Sequence, residues 1–375
     1  MGQSARSLGT TTLARLRLAA QGLLPAASVG EALGQAADPV EAVRRMGALQ
    51  SQDLQSGLLA AGVRTRAASG RATASGVADA LASGAVVRTW TMRGTLFLVA
   101  AEDARAFVRL AAERIMHVAS PRHRELGIGS EDVDAVRRVA ESALEGGKGL
   151  TRPELFEAFE AAGQATKGQR GIHLLSILSH RLVLVQGPLR GRQQEFRLAD
   201  EWLPADDGPR GDDALEAIAR RYIASHGPVG ERDFAWWLAQ PLGVVRGPFR
   251  AAAADADVVS FDGRELYCLP DVAALAGTRV GERAAVAVPG YDELAIGYPD
   301  RSVAIPPEYL DRVIPGVNGV FKAMVVVGGR AVGTWTKGGK ASAPRPEPAL
   351  YEDLSPAASA GVAKALARIE AYWAG

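Results

Sequence analysis

The sequence contains little sulfur and few metal-binding side chains. Its 375 residues include one cysteine, Cys268, and five histidines. A lone cysteine excludes an intramolecular disulfide and any cysteine-rich zinc or iron–sulfur site. The histidines, which lack the spacing of a metal-binding motif, are His117, His123, His173, His180 and His226. We therefore predict that the protein holds no metal and needs no cofactor.

Several signatures of nucleotide-binding and hydrolytic enzymes are also missing. The sequence has no Walker loop, no Gly-x-Gly-x-x-Gly after a strand and no Gly-x-Ser-x-Gly elbow. It has no run of about eighteen apolar residues, which a membrane-spanning helix requires. Its N-terminus lacks the continuous apolar segment of a signal peptide. These absences predict a cytoplasmic protein with no membrane partner.

The net charge is close to zero, at +1, from 43 basic and 42 acidic residues. This balance excludes a polybasic nucleic-acid binder, so any affinity for DNA requires a face on which positive charge is concentrated. Six of the basic residues are lysines, and arginine supplies the rest. Arginine forms paired hydrogen bonds with phosphate and guanine. A high-GC genome produces the same composition, and we prefer that explanation for most of the arginines.

A unit of two short helices followed by a β-hairpin occurs twice, over residues 151–200 and 212–270. This order is typical of a winged helix, whose second helix and hairpin usually contact nucleic acid. Tandem copies are suited to holding a long stretch of duplex.

The first copy begins with a capping box, Thr151 to Glu154, that has a proline in its first turn. Gly187-Pro188 predicts the start of a loop that carries Arg190 and Arg192. A basic wing tip is suited to phosphate binding, but an ordinary solvated loop is an equal alternative. The predicted elements are a helix that opens with this capping box and stops near 163, a helix that starts near 168–171, and strands at 182–186 and 195–199.

The second copy has an Asp-Gly turn, at Asp262-Gly263, which is a strong hairpin signal. Arg246 and Arg250 lie on its last helix and are candidates for DNA binding. The pair Trp236-Trp237 is on an amphipathic helix, so we expect it to belong to the core rather than to a stacking platform. The predicted helices are 213–225, 231–238 and 244–254, and the predicted strands are 258–261 and 264–267.

The flanking regions also mix helices and strands. The N-terminal third predicts a helix that opens at Asp38-Pro39 and ends in Gln50-Ser51-Gln52-Asp53, and it resembles a third, degraded winged helix. Other predictions are strands near 58–64 and 86–99, a loop at 121–131, a strand at 284–288, a hairpin at 321–327 and 331–336, a proline-rich connection at 341–353, and a helix from 355 to about 373.

These patterns predict an α+β protein with three tandem winged helices and a β-rich C-terminal segment. A chain of this length accommodates two to four small domains. The predicted domains are 1–148, a winged-helix-like domain that carries Gln50 and Gln52; 149–206 and 207–280, each a winged helix; and 281–375, a hairpin-containing region with a terminal helix.

Segments along nearly the whole chain resemble the AlkZ/YcaQ family of winged-helix DNA glycosylases. They occur in the same order as in that family, and their joint order is specific. The matching segments are Leu13–Arg17 with Gln21–Leu24, Leu49–Asp53, Arg88–Leu96, Phe234–Trp237, Tyr291–Glu293 followed by Gly297–Arg301, and Val332–Trp335.

The resemblance implies tandem winged helices around a concave DNA-binding channel. It implies a monofunctional DNA glycosylase that removes bulky N7-alkylguanines, including interstrand crosslinks, in repair or in self-resistance to a genotoxic natural product. The expected partner is double-stranded DNA with an alkylated guanine, which would place the protein at the nucleoid when bound. A channel formed within one chain predicts a monomer.

The resemblance also implies the catalytic residues. The AlkZ-like branch has a Gln-x-Gln motif, which Gln50 and Gln52 match. Ser51 replaces an apolar residue that is usual between the glutamines, and Phe97 stands where relatives commonly have histidine. Because a crosslinked nucleotide cannot swing fully out of the duplex, we expect no closed, aromatic-lined pocket beside the two glutamines.

Other charged residues have two interpretations each. Asp53 is a candidate general base, although a role in a turn or at a helix C-terminus is favoured. Asp292 and Glu293 are either functional or bound to backbone amides. Arg93 either contacts a DNA phosphate, which we slightly prefer, or pairs with a carboxylate. The remaining candidates for DNA binding are Arg301, Lys322 and Lys337.

The sequence is compatible with three functions. The first is the glycosylase. The second is a non-catalytic regulator, because most winged helices are regulators. The third is a homologue that binds lesions without cutting them, which the presence of Phe97 keeps open.

Overall fold

The computed structural model describes residues 6–205, 207–316, 319–340 and 343–375. The fold is α+β, as predicted. Contacts divide the chain into two compact units. Unit 1 comprises the described residues up to Val77 together with Leu215–Gly375, and unit 2 comprises Ala78–Ala214. The four domains predicted from the sequence divide the chain more finely and stay a prediction.

The helices of the described residues are numbered in chain order. They are α1 Thr10–Ala20, α2 Ala26–Val29, α3 Pro39–Met46, α4 Leu54–Val63, α5 Ala74–Ala82, α6 Ala101–Glu125, α7 Ser130–Leu144, α8 Arg152–Ala161, α9 Arg170–His180, α10 Ala199–Trp202, α11 Gly211–His226, α12 Glu231–Leu238, α13 Leu242–Ala252, α14 Pro270–Ala274, α15 Glu293–Ile296, α16 Leu310–Val313 and α17 Pro356–Ala374.

The strands of the same residues follow the same convention. They are β1 Arg6–Ser7, β2 Ala48–Gln50, β3 Val86–Trp90, β4 Leu96–Ala100, β5 Leu150–Thr151, β6 Leu184–Arg190, β7 Gln193–Leu198, β8 Asp257–Phe261, β9 Arg264–Cys268, β10 Ala285–Val288, β11 Met324–Val327, β12 Arg330–Lys340 and β13 Ala343–Leu350.

The order helix, short strand, helix, helix, strand, strand occurs three times along the chain. It runs from α3 to β4, from α7 to β7, and from α11 to β9. In the last copy, Val229 forms a bridge to Tyr267 in the place of the short strand. This is the element order of a winged helix, so the structure contains the two copies found in the sequence and a similar arrangement near the N-terminus.

Unit 2 is built on an antiparallel sheet with the order β4-β3-β6-β7-β5. The capping box predicted at Thr151 is present, because its N–H donates to Glu154 Oε2 at 2.7 Å. The loop predicted at Gly187-Pro188 is wrong: β6 continues through these residues, with a register shift, to Arg190. The turn is two residues, Gly191-Arg192. An irregularity in the ladder accommodates the proline that suggested a loop.

Unit 1 contains two sheets, with the orders β1-β8-β9 and β10-β11-β12-β13. Residues 343–350 form β13, so the connection predicted at 341–353 is wrong for most of its length; residues 341 and 342 lie outside the described part. Pro344, Pro346 and Pro348 alternate along β13 and pair with β12. Proline is tolerated there because β13 is an edge strand, where alternate N–H groups have no partner strand.

Three predictions near the N-terminus are also corrected. The helix that opens at Asp38 ends at Met46, and the strand predicted at 58–64 is part of α4. An apolar run of this length does not distinguish a buried strand from a buried helix. The loop predicted at 121–131 is largely helical: α6 continues past Pro121 to Glu125. The exposed His117 carbonyl lacks its helical donor at that proline.

Candidate active site

The two glutamines of the Gln-x-Gln motif lie at the junction between β2 and α4. Gln50 ends the strand and is half-buried, Ser51 is fully buried, and Gln52 is exposed. A Cβ atom on Gly57, one turn into α4, would lie 2.5 Å from the Cβ of Ser51. Ser51 is therefore packed against the helix, and the glutamines on either side of it do not lie deep in the core.

Asp53 caps the helix that follows the motif. Its carboxylate accepts a hydrogen bond from the backbone N–H of Ser56 at 2.8 Å. Asp53 is therefore the N-terminal cap of α4, which fits a turn position and corrects the expectation of a helix C-terminus.

A buried carboxylate holds the backbone of the motif. Glu293 Oε1 accepts the backbone N–H of Gln50 at 3.2 Å, and Oε2 accepts the indole N–H of Trp237 at 3.0 Å. The Nε2 atom of His226 lies 3.5 Å from Oε2. Burial lowers the pKa of His226, although the neighbouring Glu293 opposes that shift. The imidazole is therefore neutral at physiological pH.

Asp292 fixes the other end of α4. It forms a buried, two-pronged ion pair with Arg64, whose two terminal nitrogens lie 2.7 and 2.9 Å from its oxygens. Arg64 follows the last residue of α4 and also donates to Gln21 at 2.7 Å. Asp292 accepts the backbone N–H of Leu294 at 2.9 Å as well. The turn at 292–293 thus holds α4 at its end and the motif at its start.

Asp292 and Glu293 therefore accept hydrogen bonds from backbone amides, which was one of the two interpretations given for them from the sequence. Sequence reasoning missed their ion-pair and indole partners. One signal in the sequence could have indicated the ion pair. Arg64 directly follows the apolar residues 57–63, and a charged residue in such a position is buried only if it has a partner.

Arg301 rests on aromatic side chains near the motif. Its guanidinium carbon lies 5.7 Å from the ring centre of Trp236 and 5.1 Å from that of Phe321. Burial lowers the pKa of Arg301. A Cβ atom on Gly290 would lie 2.7 Å from the Phe321 carbonyl and 3.6 Å from Ser56 Oγ, in the first turn of α4. This arrangement brings Arg301 into the neighbourhood of the Gln-x-Gln motif.

Lys322 and Trp237 belong to the same region. Lys322 follows Phe321 and is exposed. Trp237 is buried, so the expectation that it belongs to the core is confirmed, whereas Trp236 is half-buried under Arg301. Arg301 and Lys322, two of the predicted DNA-binding cations, thus belong to unit 1, as the glutamines do.

Three predicted or considered DNA-binding arginines have carboxylate partners. Arg190 contacts Glu154 at 2.7 Å and also Glu195. Arg246 and Arg250 both contact Glu231, at 3.2 and 3.5 Å. The Arg190–Glu154 pair is exposed on both sides and contributes little stability, whereas Glu195 is buried and Glu231 is half-buried.

The other predicted cations differ in their surroundings. Arg93, in unit 2, has a left-handed backbone with φ of 59° and lies 5.3 Å from the ring centre of Phe97, which is fully buried in β4. Arg192 is exposed at its turn. Lys337, in β12, lies 4.6 Å from the ring centre of Trp373. Their contacts with DNA stay predictions.

The described residues offer no metal site and no membrane-spanning helix. They contain no group of three or more His, Cys, Asp or Glu side chains placed to hold a metal ion. No helix among them is long and apolar enough to cross a membrane. Cys268 is buried, and burial raises its pKa to about 12, so it is an inert core thiol.

A family model described as "DNA glycosylase AlkZ-like" matches residues 43–372. The chain belongs to the AlkZ-like DNA glycosylase family. It is therefore a DNA glycosylase, and the family and enzyme class predicted from the sequence are confirmed.

Individual relatives agree with this assignment. The AlkZ-like chain is 26% identical, over 263 residues, to a protein of Streptomyces sahachiroi named an interstrand DNA cross-link repair glycosylase. The match covers 67% of this chain and 70% of that protein. The solved structure of the Streptomyces sahachiroi DNA glycosylase AlkZ superposes with a TM-score of 0.76 and 24% identity, over 96% of each chain. That superposition shows the shared fold.

Proposed function

We propose that this glycosylase hydrolyses the N-glycosidic bond of N7-alkylguanine in double-stranded DNA, with Gln50 and Gln52 as its catalytic residues. The observation that carries the proposal is the placement of the motif. The two amides flank a buried anchor, Ser51, at a junction that Glu293 holds from behind. A positioned pair of side chains outside the core is what a water-orienting site requires.

The chemistry of the substrate explains why neutral amides suffice. Alkylation at N7 gives guanine a positive charge, so the base leaves without a strong acid to protonate it. The enzyme has to orient a water molecule and stabilise a sugar that becomes cation-like. A glutamine carbonyl accepts from the water or faces the developing charge, and its amide group supplies two donors. An amide nitrogen forms no Schiff base with the sugar, so the reaction is monofunctional.

The neutral pair also fits a cationic lesion better than a lysine would. Glu293 is a buried carboxylate that contacts the motif backbone, and its oxygens accept the Gln50 N–H and the indole N–H of Trp237. We therefore assign Glu293 to holding the motif in place, and water activation to the glutamines.

Bulky adducts and interstrand crosslinks are the proposed substrates within this class. The relative named for cross-link repair motivates this choice. Because a crosslinked base stays tethered to the opposite strand, an exposed residue such as Gln52 is better placed to reach it than a residue in a deep pocket. Self-resistance to a genotoxic natural product is the biological role that we propose, and a monomer is the proposed active form.

A strand-cleavage assay tests the catalytic roles. Duplexes with one N7-alkylguanine are incubated with enzyme, and alkali then cleaves the abasic sites. Gln50→Ala and Gln52→Ala are expected to lower the single-turnover rate by about 10²–10³-fold, as loss of a positioned catalytic amide does. Gln55→Ala is the matched control, because Gln55 is an exposed glutamine in α4, the helix that follows the motif. Wild-type rates in both motif variants would refute the assignment.

The choice of substrate identifies the finer specificity. Duplexes with a methyl adduct, a bulky adduct and an interstrand crosslink are compared at equal concentration. We expect the bulky and crosslinked duplexes to react at least as fast as the methylated one. A preference for the methyl adduct with no crosslink cleavage would contradict the proposed substrates. Protection of a host strain from a DNA-alkylating metabolite would test self-resistance.

A further inference from the structure

Unit 1 contains a cavity of about 780 Å³ that the proposed chemistry does not use. It lies beyond the C-terminal end of α4, where Arg66, Ala67 and Ala68 line it. The catalytic motif precedes the other end of this ten-residue helix, which is about 15 Å long. The cavity is therefore separate from the motif, and its volume is typical of sites for small organic ligands.

The lining combines apolar walls with an excess of positive charge. Leu23, Leu24, Val286 and Ala365 contribute apolar surface. Of the described residues that line the cavity, five are cations and one, Glu282, is a carboxylate. The cations are Arg66, Arg279, Arg283, Lys364 and Arg368. The whole chain carries a net charge of +1, so composition alone does not explain this concentration.

Two of these cations have hydrogen-bonding capacity that the described residues do not use. Arg368 is half-buried and donates a long hydrogen bond of 3.5 Å to the carbonyl of Thr65. Burial lowers the pKa of Arg368, and none of the described carboxylates forms an ion pair with it. Arg66 contacts the exposed Glu31, but its buried Nε has no partner among the described residues. A buried donor without an acceptor, such as this Nε, is unfavourable until an anion pairs with it.

We propose that this cavity binds a small organic anion. Its carboxylate or phosphate would be held by Arg66 and Arg368, and its apolar body would contact Leu24, Val286 and Ala365. The apolar walls select against a bare inorganic ion, and the unpaired donors select against an uncharged apolar molecule. This site is independent of the reaction at the glutamines, because no lining residue belongs to the motif.

A fluorescence titration tests the site in the intact protein. The probe is anilinonaphthalene sulfonate, a fluorescent organic anion with an apolar ring system. We expect one equivalent to bind and decanoate to displace it. Decanol lacks the charge and inorganic phosphate lacks the apolar body, so each should displace the probe at least about tenfold more weakly. One charge-assisted hydrogen bond changes affinity by roughly that factor.

Variants of Arg66 and Arg368 test whether the probe binds in this cavity. Arg368→Gln and Arg66→Gln should each weaken probe binding at least about tenfold, and Arg368→Lys should recover part of the loss. Arg220→Gln is the control, because Arg220 is an exposed arginine on α11 of the same unit. Thermal melting of each variant verifies that it is folded.

Three results would overturn the proposal. One is unchanged probe affinity in both Arg66→Gln and Arg368→Gln when these variants are folded. The second is displacement by decanol as effective as that by decanoate, which would show a purely apolar pocket. The third is loss of duplex affinity in Arg368→Gln without loss of probe binding, which would make this a nucleic-acid surface. All of these experiments measure binding and none measures glycosylase activity. Their outcome therefore does not depend on whether Gln50 and Gln52 are catalytic.

Discussion

Removing Asp292 should cost this protein much of its stability. Asp292 and Arg64 are both about fully buried, with 0% and 1% of their side chains exposed, and they lie 2.7 Å apart. Asp292→Ala leaves the Arg64 guanidinium charged in the interior, with Gln21 and the Ala60 carbonyl as its remaining acceptors. An uncompensated buried charge of this kind costs about 3–5 kcal/mol. Loss of the cap on Leu294 adds about 1 kcal/mol.

The expected loss is large against the roughly 5–15 kcal/mol that separates folded from unfolded states in typical proteins. Urea denaturation followed by circular dichroism measures it. The matched control is Glu216→Ala, which breaks an exposed pair with Arg220 at 2.8 Å and should cost less than about 1 kcal/mol.

A double variant distinguishes the energetic cost of an unpaired buried charge from the cost of losing the ion-pair contact. Arg64→Met with Asp292→Leu removes both charges and retains apolar volume, so it should be more stable than Asp292→Ala alone. The reasoning is refuted if Asp292→Ala costs no more than Glu216→Ala, or if the double variant loses the sum of its two single losses.

Three further predictions concern the motif, its surroundings and DNA. Gly57→Ala places a Cβ 2.5 Å from that of Ser51, so we expect a loss of about 1–3 kcal/mol and a slower glycosylase rate; a rate and melting temperature equal to wild type would contradict this. Burial lowers the pKa of His226, so the unfolded chain binds more protons below about pH 6.5. Stability should thus fall as pH drops through that value and should not fall above it, and melting curves of wild type and His226→Asn should show a weaker acid dependence in the variant. Lys322→Ala should reduce the slope of log affinity against log salt by about 1, and an unchanged slope would remove this residue from the DNA contacts.

Local signals in the sequence identified many elements correctly. The Asp262-Gly263 turn, the capping box at Thr151 and the helix Glu231–Leu238 are where the sequence predicts them. Each of these depends on residues close together in the chain. The strand β13 was missed because proline-rich sequence is compatible with a strand only at a sheet edge, and edge position depends on distant strands.

In the candidate site, too, features set by neighbouring residues were predictable and features set by distant residues were not. Resemblance to a family found Gln50 and Gln52, and local capping explains Asp53. The supports of the motif were not predictable in this way. Arg64 and Asp292 are 228 positions apart, and Gln50 and Glu293 are 243 apart. No periodicity or short motif indicates that such residues meet, because their pairing depends on how the whole of unit 1 folds.

The contact between Gln50 and Glu293 determines when the motif becomes anchored during protein synthesis. Chains emerge from the ribosome N-terminus first, so the glutamines are made long before the carboxylate that fixes them. A nascent or prematurely terminated polypeptide carries both amides on an unanchored segment. The backbone of the proposed catalytic pair therefore acquires its Glu293 contact only after residue 293 has been made.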